Sequence, residues 1–306
     1  MNLDTAIDTF LSPIADKISG IIFSSITIHG VKIEFLVALL MSAAIYFTLR
    51  TRFIGIWGFK HAFKLITKNY EHKDIIKKKK RGEVSSFQAL TATISASAGI
   101  GNVAGSAAAV SIGGPGVIFW MVIAGFFSMA LKFAEVVLGI KFRKVNPDGT
   151  IAGGPMYYIE GALKNNRFIG KFAPHLSKIY AVCCIFAMIG GWNLFQINAM
   201  TTQITEVTGG DKSFFANQSW LLGLIVAVIT YFTIIGGIKA IGKFTSKVTP
   251  VMCTLYVLTA FAVCLYNIGH VPHTLKIIIE EAFSPRAMTG GMFACMLWGF
   301  RRAMFA

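Results

Sequence analysis

Apolar residues occur in long runs along the chain, and most charged residues lie between them. Six of these runs are long enough to cross a bilayer as α-helices, at about 33–49, 87–110, 117–140, 179–204, 220–238 and 248–268. A seventh begins near residue 287, after a short amphipathic stretch at 275–283. Before the first run, apolar residues between 3 and 22 recur at helical spacing, which predicts an amphipathic helix lying in the membrane interface.

The composition agrees with this pattern. Of the 306 residues, 55% are apolar and 14% are charged, a balance that argues strongly against a water-soluble globule. The net charge of +15 would suggest nucleic-acid binding in a soluble protein, but here the basic groups flank apolar runs. The five cysteines all lie inside apolar runs, and none has the spacing of metal ligands.

The basic residues predict a topology. Lys and Arg are concentrated at 50–85, 141–178 and 239–247, including the run at 77–81. Since basic residues collect on the cytoplasmic side, we assign these connections to the cytoplasm. Residues 1–31, 111–116, 205–219 and 269–285 then lie outside, together with the N-terminus.

The second run is unusual because small and polar residues occupy its centre, in the sequence Thr93 to Gly105. Two interpretations are open. The small residues can form a face for tight helix packing. Alternatively, Gly99-Ile100-Gly101-Asn102 interrupts the helix, so that carbonyl groups of the first half face a cation and N–H groups of the second half face a carboxylate.

Five blocks of residues, in order along the chain, lie at 82–91, 99–102, 113–120, 132–135 and 153–158. Together they closely resemble the alanine/glycine:cation symporters, also called the sodium:alanine symporter family. The resemblance implies an all-α polytopic membrane protein with a LeuT-like inverted-repeat fold. It further implies sodium-coupled uptake of small neutral amino acids (alanine or glycine) across the plasma or inner membrane, with Na⁺ as coupling ion.

The resemblance also implies a division of the chain and a role for individual residues. An extracytoplasmic segment at 1–31 precedes an extra transmembrane helix at 32–50 and a basic connection at 51–85, followed by the first five-helix repeat at 86–268. The substrate carboxylate is expected at the N–H groups of Ile100 and Gly101, beside Gly99, and the Asn102 side-chain carbonyl is expected to face substrate or ion. The carbonyls of Ser95 and Ala98 are the candidates for sodium.

Other polar residues in the runs have two interpretations each. Asn193, Gln196 and Asn198 cannot share one helix face, and Gln196 is the one that we place nearest the substrate; a hydrogen bond between helices is the alternative. Lys132 and Glu135, at i and i+3, favour a structural or gating ion pair over a proton relay. His270 and His273 have no companion ligands in the sequence, so we expect no metal site there.

The segment 269–306 is expected to hold an external connection and the first helix of the second repeat, in which Phe293 and Met296 cap the substrate side chain or, alternatively, pack against lipid. Family members continue with further helices, so we expect these 306 residues alone not to transport. The alternative is a non-transporting subunit whose partner supplies the missing helices. No acid/base, nucleophile or metal constellation in the sequence indicates an enzyme.

Overall fold

The computed structural model describes residues 3–28, 31–67, 84–148, 150–188, 193–216, 218–283 and 299–300. Most of these residues are helical. The first helices are α1 (Leu3–Ile22), α2 (Phe35–Arg50), α3 (Ile54–Trp57), α4 (Phe59–Ile66), α5 (Ser86–Ser97), α6 (Ile100–Gly113) and α7 (Val117–Lys141). They are followed by α8 (Pro155–Leu163), α9 (Ala173–Ala187), α10 (Asn193–Val207), α11 (Ser219–Ile235), α12 (Gly237–Tyr266) and α13 (Val271–Ala282).

Short 3-10 turns at Gly170–Phe172 and Gly210–Lys212 and two small antiparallel hairpins complete the described elements. Strand β1 (Ser25–Ile28) pairs with β2 (Val31–Glu34), and β3 (Lys144–Val145) pairs with β4 (Ile151–Ala152). The predicted helical class is thus confirmed for the described residues, apart from these hairpins.

Two of the described helices, α7 and α12, are long and apolar enough to cross a membrane, and α2 and α11 are shorter apolar helices. Each of the four overlaps a predicted run. Their large apolar side chains are mostly exposed, for example Val122, Leu255 and Phe261 at about 60–70%.

The residues divide into two compact units. The first comprises 1–57, 104–132 and 267–306. Its small core contains Val117 and Ala109, with Trp120 and Met121 packed against them. In α2, the buried hydroxyl of Thr48 donates to the carbonyls of Ala44 at 2.8 Å and of Phe127 at 3.3 Å. The small side chains of Ala44 and Ala109 let helix backbones approach closely at these contacts, as in membrane helix packing generally.

Within the same unit, the turn between α6 and α7 packs against the end of α13. Gly114 adopts a left-handed conformation at φ 79°, and Gly116 lies directly against the backbone of Glu281 and Ala282. The indole Nε1 of Trp120 donates to the Ala282 carbonyl at 3.0 Å. The ring of Phe283 meets the rings of Phe119 and Trp120 edge to face.

The second unit comprises 58–103 and 133–266. Helix α5 begins with a capping box, in which the Ser85 hydroxyl accepts from the Gln88 N–H and the Gln88 side chain accepts from the Ser85 N–H. Helix α12 packs along α5, where Gly242 lies against Val84 and Gln88. Helix α9 packs on α8, and the Ser177 hydroxyl donates to the Met156 carbonyl at 2.8 Å.

The structure corrects two predicted boundaries. The first apolar helix begins at Phe35 and not at residue 33, because the β-branched residues Val31 and Ile33 belong to a hairpin strand. The predicted connection at 239–247 is the first part of α12, which begins at Gly237, a residue with φ 64°, and packs on α5. The run at 179–204 contains the end of α9 and most of α10, and 189–192 lie outside the described residues.

The close approach at Gly116 generates a prediction for stability. A Cβ at this position would lie 2.5 Å from the Ala282 amide nitrogen, which belongs to the backbone and cannot rotate away. We expect Gly116→Ala to lower the free energy of unfolding by about 1–3 kcal/mol. The measurement is thermal unfolding in detergent, with Gly125→Ala as the matched control.

Gly125 lies inside α7, and a methyl group added there would have no atom within 4 Å outside its own stretch of helix. Alanine at this position should therefore leave the melting temperature unchanged or raise it. Equal melting temperatures for the two variants would contradict the packing of α13 on the turn at Gly116.

Candidate functional site

The helix predicted to be discontinuous is interrupted at Ala98 and Gly99. Helix α5 ends at Ser97, Ala98 leaves the helical region with φ −89° and ψ 57°, and α6 begins at Ile100. Ile100, Gly101 and Asn102 therefore form the first turn of α6. The interruption is confirmed, and it lies at the start of the glycine motif.

Asn102 connects the two half-helices. Its side-chain Nδ2 donates to the carbonyl of Ser97, the last residue of α5. Its backbone N–H donates to the Gly99 carbonyl at 3.0 Å. The side-chain amide thus satisfies a helix-terminal carbonyl that lost its regular partner where the helix was interrupted. The predicted role of Asn102 uses the carbonyl end of this amide, whereas the structure shows the nitrogen end in use.

The two ends that meet at the interruption carry opposite partial charges. The last turn of α5 presents carbonyl groups, and the Ile94 carbonyl already accepts from the Ala98 N–H at 2.7 Å. Ser95 and Ala98 lie in this terminal turn and its cap. The N–H groups of Ile100 and Gly101 lie in the first turn of α6, where the helix dipole is positive. Such an arrangement is suited to a cation on one side and a carboxylate on the other.

Gln196 lies beside Gly99, although 97 positions separate them in the sequence. A Cβ on Gly99 would lie 2.6 Å from the Gln196 Nε2 and 3.8 Å from its Oε1. The half-buried amide of Gln196 therefore reaches the end of α5 only because residue 99 has no side chain. The two segments that the sequence singled out are brought together at this point.

Asn193 and Asn198, the two other residues of α10 that the sequence singled out, lie away from Gly99. Asn193, the first residue of α10, donates through Nδ2 to the Met188 carbonyl at 2.8 Å. Asn198 lines an open groove of 570 Å³ between α10 and α11, together with Thr201, Ser219 and Trp220. The prediction that Gln196 and Asn198 occupy different faces is confirmed.

The structure does not test the remaining candidate residues. Phe293 and Met296 lie outside the described residues. The proposed Lys132–Glu135 pair stays a prediction. Among the described residues, no group of three or more His, Cys, Asp or Glu side chains could hold a metal ion.

Sequence reasoning missed the environment of Tyr158 in α8, which is partly buried and lies within the electrostatic range of Glu135. Burial, and secondarily the charge of Glu135, raise the pKa of the Tyr158 phenol above its ordinary value. Tyr158 belongs to the block at 153–158 that carries the family resemblance, which is the only signal in the sequence that pointed to it.

The contact between Gly99 and Gln196 generates a prediction for a double-mutant cycle. Gly99→Ala displaces the Gln196 amide, so its effect on unfolding should shrink once Gln196→Ala has already removed that amide. We expect a coupling free energy of about 0.5–3 kcal/mol, measured from denaturant unfolding in detergent. The matched control pairs Gly99→Ala with Asn198→Ala, for which we expect additive effects; additivity in both pairs would show that the contact is absent.

Sequence comparisons with known proteins agree with the family resemblance. Residues 19–306 match the sequence profile of the sodium:alanine symporter family. The chain is 36% identical over 273 residues to a sodium/alanine symporter of Methanococcus maripaludis, which covers 89% of this chain and 57% of that relative. It is 38% identical over 256 residues to an uncharacterized transporter of Haemophilus influenzae, covering 84% and 52%.

A probable sodium/glutamine symporter of Bacillus subtilis is 31% identical over 274 residues, covering 89% of this chain and 53% of that relative. The chain thus spans about half the length of the curated relatives that it matches. With a profile match over nearly its whole length and the interrupted helix in place, the chain belongs to the sodium:alanine symporter family.

Proposed function

We propose that the chain forms the first half of a sodium-coupled symporter for small neutral amino acids such as alanine and glycine. The observation that carries this proposal is the interruption at Ala98–Gly99, with the Gln196 amide beside it. Backbone polar groups removed from a helix at membrane depth are tolerated only where they line a protein cavity or water. A site for an amino-acid zwitterion and a cation uses both the backbone N–H groups and the backbone carbonyl groups that the interruption leaves without helical partners.

In the proposed site, the substrate carboxylate accepts from the N–H groups of Ile100 and Gly101. These groups combine helix-terminal backbone donors with the positive end of the α6 dipole. Gln196 contacts the substrate from α10, since its amide already lies at Gly99. Phe293 and Met296 form an apolar cap that limits the size of the substrate side chain.

The coupling ion in this proposal is Na⁺, bound by the carbonyls of Ser95 and Ala98. Sodium is a hard cation that prefers oxygen ligands. Helices α5 and α6 contain no acidic residue, so no carboxylate on these helices would compete with the backbone carbonyls for the ion. The names of relatives support sodium coupling but differ in substrate, since one is called a sodium/alanine and another a probable sodium/glutamine symporter. Our preference for alanine rests on the higher identity to the former, at 36% against 31%, and glycine is included on the family resemblance of the sequence alone.

We propose a LeuT-like inverted-repeat architecture in the plasma or inner membrane, with the N-terminus outside. The extra helix is α2, and the first repeat extends from α5 to α12. Basic residues in the predicted connections at 50–85 and 141–178 support the orientation. Lys239, Lys243 and Lys247 support it equally, although they lie in the first turns of α12.

The test of the proposed function is uptake of labelled alanine by proteoliposomes. The chain is fused, where its match ends, to the remaining half of the Methanococcus maripaludis relative, and an inward sodium gradient is applied. We expect uptake that requires sodium and is competed by glycine. Gln196→Ala should raise the KM about tenfold, because it removes a hydrogen bond to a charged substrate.

Asn198→Ala is the matched control, because a side-chain amide is truncated on the same helix but in the groove with Trp220. Its KM should be unchanged. Sodium-independent uptake, or equal effects of the two variants, would refute the assigned site. Uptake competed by glutamine but not by glycine would replace the proposed substrate class.

Reconstitution of the 306 residues alone generates a separate prediction. Because the chain spans about half the length of its relatives, we expect no sodium-dependent alanine accumulation above that of protein-free liposomes. Accumulation that disappears when sodium is replaced by choline would show that these residues transport unaided. A second polypeptide that co-purifies and restores uptake would show that the remaining helices come from a partner.

A further inference from the structure

Helix α4 lies outside the predicted membrane runs, yet it exposes large aromatic side chains. Phe59 and Phe63 are 69% and 60% exposed, although each is an apolar residue that water solvates poorly. α4 lies against α5, but this contact leaves both rings uncovered by the residues that the structure describes.

The residues of α4 are divided between two faces. At 100° per residue, Phe59, Ala62, Phe63 and Ile66 fall within an arc of about 100°. Lys60, His61 and Lys64 fall on the opposite side, and Leu65 lies at the boundary between the two faces. The helix is thus amphipathic with a purely basic polar face, since it contains no acidic residue. Aromatic residues on one face and lysines on the other are typical of helices that lie in a lipid interface.

We infer that α4 binds the membrane surface, with Phe59 and Phe63 among the acyl chains and Lys60 and Lys64 at anionic phospholipid headgroups. Charge complementarity selects this occupant. Lys60 and Lys64 each have a long, flexible apolar stem, and such stems reach the headgroups while the helix axis lies at the interface. A basic helix next to a transmembrane segment is attracted specifically to anionic lipid.

The same chemistry recurs in another connection of the same unit. Phe168 and Phe172 are 85% and 68% exposed, and each directly follows a basic residue, Arg167 and Lys171 respectively. Both connections belong to the stretches that the distribution of basic residues assigns to one side of the membrane. Exposed aromatic rings next to basic residues are therefore a shared property of these connections and not a peculiarity of α4.

The inference is tested by measuring where two neighbouring positions of α4 lie in a bilayer. The full chain, with its five cysteines replaced by alanine, carries a nitroxide label at Ala62→Cys or at His61→Cys, so that the two phenylalanines and two lysines of the proposal stay in place, and is reconstituted with or without phosphatidylglycerol. We expect the label at 62 to collide mainly with dissolved oxygen, which concentrates in acyl chains. The label at 61, on the other face, should collide mainly with a water-soluble nickel chelate.

Removal of one positive charge distinguishes lipid binding from burial in protein. In membranes with phosphatidylglycerol, Lys60→Gln should reduce the ratio of docked to undocked helix about fivefold, because each lysine near an anionic surface contributes about 1 kcal/mol. Omission of phosphatidylglycerol should reduce the same ratio. Lys60→Arg is the matched control and should retain docking. Circular dichroism of each labelled variant confirms that the helices are intact.

Three results would overturn the inference. Nickel accessibility at both positions would place α4 in water. Protection of both positions from both reagents would mean that protein covers the helix. Docking that is equal in the presence and absence of phosphatidylglycerol would exclude recognition of anionic headgroups. None of these results depends on transport, so the inference can fail while the proposed function stands.

Discussion

The need to satisfy backbone hydrogen bonds in a medium without water governs this structure. Each N–H or carbonyl left without a partner in hydrocarbon costs several kcal/mol, which is why the apolar runs become helices. At Ala98 and Gly99 the chain leaves the helix in the middle of such a run. A nearby side chain replaces part of what is lost, since the Asn102 amide donates to the Ser97 carbonyl.

The same medium reverses the usual distribution of large and small side chains. The buried apolar residues of the described segments are mainly alanines, together with Val37, Val117 and a few others, whereas phenylalanine, isoleucine and leucine are largely exposed. Lipid solvates large apolar groups as well as a protein interior does, so burial of those groups provides little driving force. Contact between helices then depends on closeness of the backbones, which explains glycine at 116.

The apolar pattern could predict most helices because a run of about 20 residues has one stable form in a bilayer. It could also predict the interruption near Gly99, where small and polar residues replace apolar ones. The pattern could not show that α12 starts at Gly237, because basic residues in a helical turn and in a loop look alike until packing on α5 is known. The approach of Gln196 to Gly99 depends on folding across 97 positions, and no local pattern encodes it. The direction of the Asn102 amide depends on the carbonyl that the interruption itself exposes.

In the proposed site, the hydrogen bond from Asn102 to Ser97 would link occupancy to the shape of the interrupted helix. A ligand that accepts from the Asn102 Nδ2 would have to displace this bond, so its observed affinity would be its intrinsic affinity reduced by the equilibrium constant of that exchange. Conversely, any conformational change that separates α5 from α6 releases the amide and raises the affinity by the same factor. One side chain can therefore make ligand binding and helix rearrangement thermodynamically inseparable.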